Sequence, residues 1–312
     1  MTSIIDVRGL KKSYKEKEVI HGIDFSVNEG EILCFLGPNG AGKSTTINII
    51  TGALRCDSGS IQYRGGSIYD DLLGFKSRLG IVPQDLALYE DLTAEKNVLF
   101  FASLYGLKGV ALEDGCRFAL EFTGLSDKAK DKVNTFSGGM KRRLNIACAI
   151  AHKPELLIMD EPTVGIDPQS RNHILEGVRR LRDRGMTILY TTHYMEEVEE
   201  ISTRIIIMDV GNIIAEGTNE SLKADIESER HYRIAARFEG EPDVGNAAQV
   251  DGVKNVQIKD GVIDITTAKD VENLDKIIAA LIGSGVKIND ISTETASLET
   301  VFLQMTGKSL RD

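Results

Sequence analysis

The sequence predicts an α/β protein in which an open sheet follows a β-rich lobe, with a small α+β domain at the C-terminal end. Three observations indicate this class. About the first forty residues are short apolar runs broken by turn residues. Buried runs such as ILCFL and LLIMD then alternate with helical segments. After about Thr218 the chain becomes polar, and a second set of strands and helices begins.

The N-terminal lobe contains two runs typical of strands, IIDVRGL and VIHGIDFSV, and turn residues at Asn28–Gly30 follow them. The next run, EILCFLG, is almost continuously apolar, as expected of a strand buried on both faces. It ends in glycine and is followed by STTINIITGAL, which predicts a helix.

The middle of the chain predicts a hairpin-like region at Gly59–Tyr69, a strand at RLGIVPQ and then helices. The segment 92–107 is amphipathic, and Thr93 is placed to cap its N-terminus. A second helix covers roughly 112–123. Together with the helix KRRLNIACAIA, these segments define a predicted helical subdomain over about 86–152.

Strands and helices continue to alternate after this subdomain. ELLIMDEP predicts another buried strand, and MTILYTT a strand between helices at about 168–184 and 194–202. RIIIMDVGNIIAEG predicts a hairpin that turns at Gly211–Asn212. This order of elements favours an open α/β sheet.

We expect three parts in the chain: an α/β domain over 1–218, a polar helical connector over 219–230 and an α+β domain over 231–312. The last part reads as strands YRIAARF, NVQIK and VIDITT, helix VENLDKIIAALIGSG, strand KINDIST and helix SLETVFLQMTG. We find no catalytic constellation in it.

The composition limits which partners and which cellular compartment we expect for this protein. The 312 residues carry a formal net charge of −10 with pI about 5.2, so no nucleic-acid partner is expected. The four cysteines show no metal-ligand spacing and favour buried, reduced thiols in a cytosolic compartment. We expect neither a signal peptide nor a transmembrane helix, so any service to a membrane would go through a partner.

The segment GPNGAGKST fits the phosphate-loop pattern G-x-x-x-x-G-K-[ST], and it lies between a predicted buried strand and a predicted helix. Its glycines allow backbone N–H groups to wrap a polyphosphate at the start of a helix. Lys43 would reach the outer phosphates and Ser44 would ligate Mg²⁺. The candidate phosphate-binding residues are Gly37, Pro38, Asn39, Gly40, Ala41, Gly42, Lys43, Ser44 and Thr45.

Two carboxylates follow the strand LLIMD. Asp160 emerges at its C-terminal end, where open α/β sheets place ligands, and would hold Mg²⁺ through the water shell of the ion. Glu161 is placed to polarise an attacking water. The alternative is that both carboxylates belong to an ordinary acidic junction between strand and loop. The presence of the phosphate loop in the same chain makes this alternative less favoured.

Three further side chains are candidates by position. His193 ends a strand at the ligand-binding edge and is suited to contact a γ-phosphate. Gln84 follows the strand RLGIVP, and its amide can coordinate Mg²⁺ or orient water. Tyr14 can stack on an adenine, although a tyrosine in a core is an equally good interpretation from the residues alone.

The segment FSGGMKRRL (Phe136–Leu144) predicts a second anion-binding helix start, with Ser137 as the N-cap before Gly138 and Gly139. Because the first loop already satisfies one triphosphate, we expect the second to serve another copy of the chain in a closed two-fold dimer. The run Lys141–Arg143 can equally be a solvated charged face.

In this order, the motifs resemble those of the ATPase subunit of an ABC transporter, over about residues 3–218. GPNGAGKST resembles Walker A, LLIMDEP Walker B, and FSGGM the family signature LSGGQ. Gln84 resembles the Q-loop glutamine, His193 the switch histidine, and Val164–Asp167 the D-loop. Tyr14 falls where the family places its adenine-stacking aromatic.

The resemblance implies a P-loop NTPase fold that binds ATP and Mg²⁺. It implies a homodimer with ATP at the interface, Walker A of one subunit facing Ser137 and Gly139 of the other, and Asp167 nearby. Glu161 would be the general base, while Gln84 and His193 would sense the γ-phosphate. Segment 92–135 would face an integral-membrane permease, which would place the chain on the cytoplasmic face of the cell membrane.

The signature segment (Phe136–Met140) departs from the family pattern, with Phe136 and Met140 in place of leucine and glutamine. The serine and both glycines are retained, so the phosphate contacts are expected to survive. GGMKRR and the C-terminal SLETVFLQMTGK resemble the daunorubicin-resistance-type exporters, in which a lone ATPase chain pairs with a separate membrane chain.

Three alternatives can be compared on the sequence. A soluble ABC-type ATPase in DNA repair, chromosome structure or translation would carry long coiled coils or a second ATPase unit, and neither is present. A non-hydrolysing binding subunit is disfavoured by intact Lys43, Asp160, Glu161 and His193. A GTPase is disfavoured because the sequence has no N-K-x-D motif.

Overall fold

The structure, a computed structural model, describes residues 2–224, 229–237, 244–259, 262–268, 270–294 and 297–306. The chain divides into two compact units between Asn219 and Glu220. Residues 225–228 of the predicted connector and 307–312 of the predicted C-terminal domain lie outside the described residues. The first unit contains every candidate site residue.

A four-stranded antiparallel sheet forms the N-terminal lobe, with strand order β2-β1-β4-β5. Its members are β1 (Ser3–Tyr14), β2 (Lys17–Asn28), β4 (Ser58–Tyr63) and β5 (Gly66–Ser67). Alternating apolar residues of β1 and β2 face the central sheet and share one hydrophobic core with it.

The central sheet has six strands in the order β10-β9-β3-β8-β7-β6. All its pairs are parallel except the β9–β10 hairpin at one edge. Because parallel strands end at the same edge, the loops after β3, β6, β7 and β8 meet there. The strands are β3 (Ile32–Leu36), β6 (Leu79–Val82), β7 (Leu156–Asp160), β8 (Thr187–Thr192), β9 (Arg204–Asp209) and β10 (Asn212–Gly217).

Helices complete the first unit, and most match the predicted segments. The Thr93 hydroxyl accepts from the backbone N–H of Lys96, as expected of an N-cap. One short helix, α2, was not predicted. The helices are α1 (Lys43–Ile50), α2 (Leu72–Ser77), α3 (Ala94–Leu104), α4 (Gly109–Phe122), α5 (Gly138–Ile150), α6 (Pro168–Asp183) and α7 (Met195–Ile201).

The hairpin between β9 and β10 turns one residue earlier than predicted. Its two-residue loop is Val210–Gly211, with φ angles of 41° and 75°. Positive φ angles at both loop residues fit a type I′ turn, whose backbone twist matches that of the two flanking strands. The expected turn at Gly211–Asn212 is therefore wrong, because β-branched Val210 adopts a conformation that its residue type disfavours.

Helix α8 (Asn219–Ala224) crosses the boundary at its first residue, and the second unit continues with a four-stranded sheet in the order β12-β13-β11-β14. One face of this sheet packs on α10, with Ile234, Ile263 and Ile277 fully buried between them. The elements are β11 (Glu229–Arg237), α9 (Gly245–Ala248), β12 (Val253–Lys259), β13 (Val262–Ala268), α10 (Leu274–Gly283), β14 (Lys287–Glu294) and α11 (Leu298–Thr306).

Candidate functional site

The loop between β3 and α1 has the local geometry of a phosphate-binding turn. Gly40 and Gly42 have φ angles of 84° and 101°, which strongly favour glycine. At Gly37 the limit is space, because a Cβ there would lie 2.3 Å from the carbonyl oxygen of Met208. The sequence therefore places glycine where the chain turns and where two backbones approach closely.

The β9–β10 turn supports this loop from behind, a role that the sequence reading missed. The N–H of Gly211 donates to the carbonyl oxygen of Ala41 at 3.0 Å, and Gly211 in turn accepts from the N–H of His21. A Cβ at Gly211 would lie 2.2 Å from the carbonyl oxygen of Val19. Glycine at 211 thus lets three segments of backbone meet behind the phosphate loop.

Lys43 is the first residue of α1 and is only 5% exposed. Its ammonium donates to the carbonyl oxygens of Gly37 at 2.7 Å and Pro38 at 3.1 Å. Burial lowers the pKa of Lys43, and the nearby carboxylates of Glu161 and Asp160 oppose that shift. The side chain is thus a desolvated cation held at the mouth of the loop.

Asp160 lies at the end of β7, and its carboxylate faces the start of α1. The Ser44 hydroxyl donates to Oδ1 of Asp160 at 3.4 Å. The Thr191 hydroxyl, from the neighbouring strand β8, donates to the same oxygen at 2.6 Å. Sequence reasoning predicted Ser44 and Asp160 but missed Thr191, which fixes the carboxylate toward the loop.

Glu161 is 6% exposed and stands at the centre of the site. Its Oε1 lies 3.6 Å from Nζ of Lys43 and 3.3 Å from Nδ1 of His193, the latter without hydrogen-bond alignment. The Gln84 amide nitrogen donates to its Oε2 at 3.4 Å. The three strand ends thus bring Gln84, Glu161 and His193 to one point.

The backbone of Glu161 adopts a positive φ of 46°, which is uncommon for a residue with a side chain. Its N–H donates to both the hydroxyl and the carbonyl oxygen of Thr191, each at 3.1 Å. Such strained positions persist where surrounding contacts determine them. In this conformation Glu161 lines the cleft beside the phosphate loop.

A cavity of about 150 Å³ opens beside these groups. Its lining combines residues of the phosphate loop, which include the cation Lys43, with the Gln84 amide and the Glu161 carboxylate, a polar set suited to a charged ligand. The lining residues are Val19, Asn39, Gly40, Gly42, Lys43, Ser44, Thr45, Gln84 and Glu161.

The signature segment does not join this cluster. The Ser137 hydroxyl accepts from the N–H of Met140 at 3.3 Å and so caps α5. A Cβ at Gly138 would meet nothing within 4 Å, so this face of the turn is open. Among the described residues, no hydrogen bond or ion pair links Ser137, Gly138 or Gly139 to the phosphate loop.

Asp167 lies against the signature segment. It caps α6 by accepting from the N–H of Ser170 at 2.9 Å and from its hydroxyl at 2.7 Å, and these hydrogen bonds lower the pKa of Asp167. A Cβ at Gly139 would lie 2.1 Å from the Ser170 hydroxyl oxygen. The second glycine of the signature segment therefore allows the starts of α5 and α6 to approach closely.

The run Lys141–Arg143 is not a solvated face, so that interpretation is wrong. Lys141 forms an ion pair with Glu90 at 2.6 Å. The guanidinium of Arg142 is buried and donates to backbone carbonyls, and that of Arg143 donates to the carbonyl of Thr123 at 3.0 Å. Sequence alone could not show this, because the partners lie far away along the chain.

Tyr14 lies at the end of β1, half exposed, with the Lys12 ammonium 5.9 Å from its ring centre. It does not line the cavity. Asp57 supports this hairpin by accepting from the N–H of Ser13 and from the Lys12 ammonium, both at 2.6 Å. The ring is thus an exposed aromatic rather than a core residue.

Cys34, Cys116 and Cys148 are buried free thiols as expected, whereas Cys56 is partly exposed. Within the described ranges, no helix has the length and apolar character needed to cross a membrane. The same residues contain no group of three or more His, Cys, Asp or Glu side chains arranged to hold a metal ion.

The fold and the site together define a P-loop ATPase: a phosphate loop after a central parallel strand, with a carboxylate pair on a neighbouring strand. The family model "ABC transporter" matches residues 20–164. The chain is 43% identical to the linearmycin resistance ATP-binding protein LnrL of Bacillus subtilis (strain 168), over 99% of this chain and 100% of that protein.

It is 33% identical to the daunorubicin resistance ATP-binding protein DrrA3 of Streptomyces coeruleorubidus, over 98% of this chain and 97% of that protein. A solved ATP-binding subunit of an ABC transporter superposes with a TM-score of 0.65 at 30% identity, over 72% of this chain and 93% of the other. The chain belongs to the family of ABC transporter ATP-binding proteins, and it is an ATPase subunit. The predicted family and fold class are confirmed.

Proposed function

We propose that this protein hydrolyses ATP to power export through a separate membrane permease. The observation that carries the proposal is the convergence of Lys43, Gln84, Glu161 and His193 on one cleft. Relatives of similar length are named for drug resistance and for Nod factor export, which favours export over the soluble alternative in DNA repair or translation.

Glu161 is the proposed general base. It takes a proton from a water whose oxygen attacks the γ-phosphorus, while the bond to the bridging oxygen breaks and ADP leaves. Gln84 and His193 flank the carboxylate and are placed to orient the water and contact the γ-phosphate. The ammonium of Lys43 neutralises charge on the outer phosphates.

The residues present fit a magnesium ion. Ser44 and Asp160 offer hydroxyl and carboxylate oxygens that lie 3.4 Å apart, and Gln84 adds an amide oxygen. Mg²⁺ is usually held by one or two carboxylates together with substrate phosphates and water, so a larger acidic cluster is not needed. When bound, the ion would neutralise negative charge on the β- and γ-phosphate oxygens.

We further propose a homodimer with ATP between the subunits. The signature segment supports this, because Ser137, Gly138 and Gly139 form an open helix start that the cleft of the same chain does not use. Asp167 lies beside it and would reach the same interface. Tyr14, exposed at the end of β1, would stack on the adenine.

The permease would dock on segment 92–135 of the helical subdomain (about residues 86–152) and on the loop just before that segment. Tyr89, Phe100 and Leu104 are exposed there, and the rings of Tyr89 and Phe100 pack edge to face at 5.0 Å. An exposed apolar cluster beside the loop that carries Gln84 fits a protein partner. Such docking would hold the chain on the cytoplasmic face of the membrane.

We also propose that the chain has three parts. Residues 1–218 would form the ATP-binding domain, 219–230 a connector and 231–312 an accessory domain. The second unit has its own hydrophobic core, which supports independent folding.

Glu161→Gln tests the proposed base. We expect the variant to bind ATP, to lose turnover by about 100-fold or more, and to accumulate as an ATP-bound dimer in size-exclusion chromatography. Glu121→Gln, an exposed carboxylate on α4, is the control for charge removal and should keep wild-type turnover. Unimpaired hydrolysis by Glu161→Gln would exclude Glu161 as the base.

A further inference from the structure

Arg142 joins three segments of the first unit. It lies on α5, two residues after Met140 at the end of the signature segment, and is 6% exposed. Its Nη1 donates to the carbonyl oxygens of Gln84 at 2.7 Å and Pro83 at 3.2 Å. Its Nη2 donates to the carbonyl oxygen of Val164 at 3.4 Å. One side chain thus holds the loop after β6, helix α5 and the segment that leads to Asp167.

The neighbouring cations have different partners. Lys141 pairs with Glu90, and Arg143 donates to the carbonyls of Thr123 and Gly124 at the end of α4. Arg142 is the member of the run that contacts the backbone of Gln84 itself. Burial lowers the pKa of the Arg142 guanidinium, while Asp85 and Tyr190 oppose the shift, so its hydrogen bonds lie in a desolvated setting.

We propose that Arg142 is a positioning residue that couples the two nucleotide sites of the dimer. The proposal rests on the proposed function, in which Gln84 senses the nucleotide of its own subunit while Ser137 and Gly139 close on that of the partner subunit. Movement of the Gln84 backbone is passed through the guanidinium to α5, whose N-terminal end carries the signature segment. The two sites then close together rather than independently.

The contact with Val164 extends the same link. Val164 lies between Glu161 and Asp167, and Asp167 caps α6 beside Gly139. The guanidinium therefore holds the loop that carries the γ-phosphate sensor and the segment that enters the proposed interface. Lysine has one donor centre in place of a planar fork, so it cannot bridge the same three carbonyl oxygens.

Arg142→Met tests the coupling, because it removes the donors and keeps an unbranched chain that packs in a buried site. Arg143→Met is the matched control. ATPase rates against ATP concentration should give a Hill coefficient of about 2 for the wild type and about 1 for Arg142→Met. In the Glu161→Gln background, Arg142→Met should need roughly 10-fold more ATP for half-maximal dimerisation. Arg143→Met should keep the wild-type Hill coefficient.

A double-mutant cycle with Gln84→Ala separates coupling from general damage. If Arg142 acts through the loop of Gln84, the double variant loses no more cooperativity than either single variant. Additive losses, or an unchanged Hill coefficient in Arg142→Met, would overturn the proposal. So would an equal loss in Arg142→Met and Arg143→Met, since that indicates a purely structural role. If Arg142→Met does not fold, Arg142→Lys takes its place.

The same experiments distinguish this proposal from the proposed function. If Glu161→Gln stays monomeric at saturating ATP, the proposed dimer fails and the coupling fails with it. If Glu161→Gln dimerises with ATP and Arg142→Met leaves the ATP dependence unchanged, the coupling alone fails.

Discussion

Gly211→Ala tests whether the β9–β10 turn supports the phosphate loop. The substitution adds one methyl group at a backbone φ of 75°, where it would lie 2.2 Å from the carbonyl oxygen of Val19 and 2.5 Å from Cδ2 of His21. The neighbours must therefore move, and the N–H of Gly211 moves with them. That N–H donates to the carbonyl oxygen of Ala41 inside the phosphate loop.

The expected magnitude has two parts. A left-handed backbone conformation costs a residue with a Cβ about 1–2 kcal/mol. Overpacking a filled site typically costs a further ~1–3 kcal/mol. We therefore expect the free energy of unfolding to fall by roughly 2–5 kcal/mol. If about 1.4 kcal/mol of this cost comes from distortion of the phosphate loop, ATP binding would weaken about tenfold.

Gly185→Ala is the matched control, since Gly185 has a φ of 89° and a Cβ there would meet nothing within 4 Å. Gly185→Ala therefore measures the cost of the left-handed backbone conformation without the steric clash that Gly211→Ala adds. Urea unfolding and ATP titration of both variants measure the two effects. Equal destabilisation by the two substitutions, with ATP affinity unchanged in Gly211→Ala, would refute the supporting role of the turn.

Two other predictions concern the signature segment and a partly buried histidine. Ser137→Arg should lower ATPase turnover by about 100-fold or more and leave the ATP affinity of dilute monomer near the wild-type value; loss of monomer binding in a fluorescence titration would contradict the assignment to the partner's site. His152 stacks on Tyr105 at 3.6 Å, and burial lowers its pKa from 6.5 to about 4. The unfolded chain therefore binds the extra proton first, so stability falls as the pH drops from 6.5 toward 4, by up to ~3 kcal/mol. His152→Phe keeps a ring on Tyr105 and should flatten this pH dependence in urea unfolding; an unchanged slope would show that another group causes it.

Local sequence carried enough information to predict the phosphate loop and the strand that ends in Asp160. Both are short motifs whose conformation follows from nearby residues: glycines at positive φ in the loop and a continuous apolar run in the strand. The confirmed family and fold class depend on such motifs. Helix α2 was missed because it is short and contains a glycine.

Contacts between distant segments could not be predicted in the same way. Thr191 lies 31 residues from the Asp160 carboxylate that it holds, and Arg142 lies 58 residues from the Gln84 carbonyl that it contacts. Such pairs depend on which strands become neighbours, and residue type does not specify that. From sequence alone, a charge run such as Lys141–Arg143 is interpreted as a solvated surface, because the carbonyl groups to which its side chains donate are not known.

The pairing of β3 has a consequence for the order in which this protein matures on the ribosome. Strand β3, which leads into the phosphate loop, pairs with β8 and β9, and these lie about 150 to 170 residues later in the chain. The antiparallel pair β1–β2 can form early, because it joins adjacent segments. The ATP cleft closes only after Gly211 has been synthesised and has left the exit tunnel. Until β8 and β9 have been made, β3 has neither of its partner strands, and ATP cannot stabilise the nascent chain through this cleft.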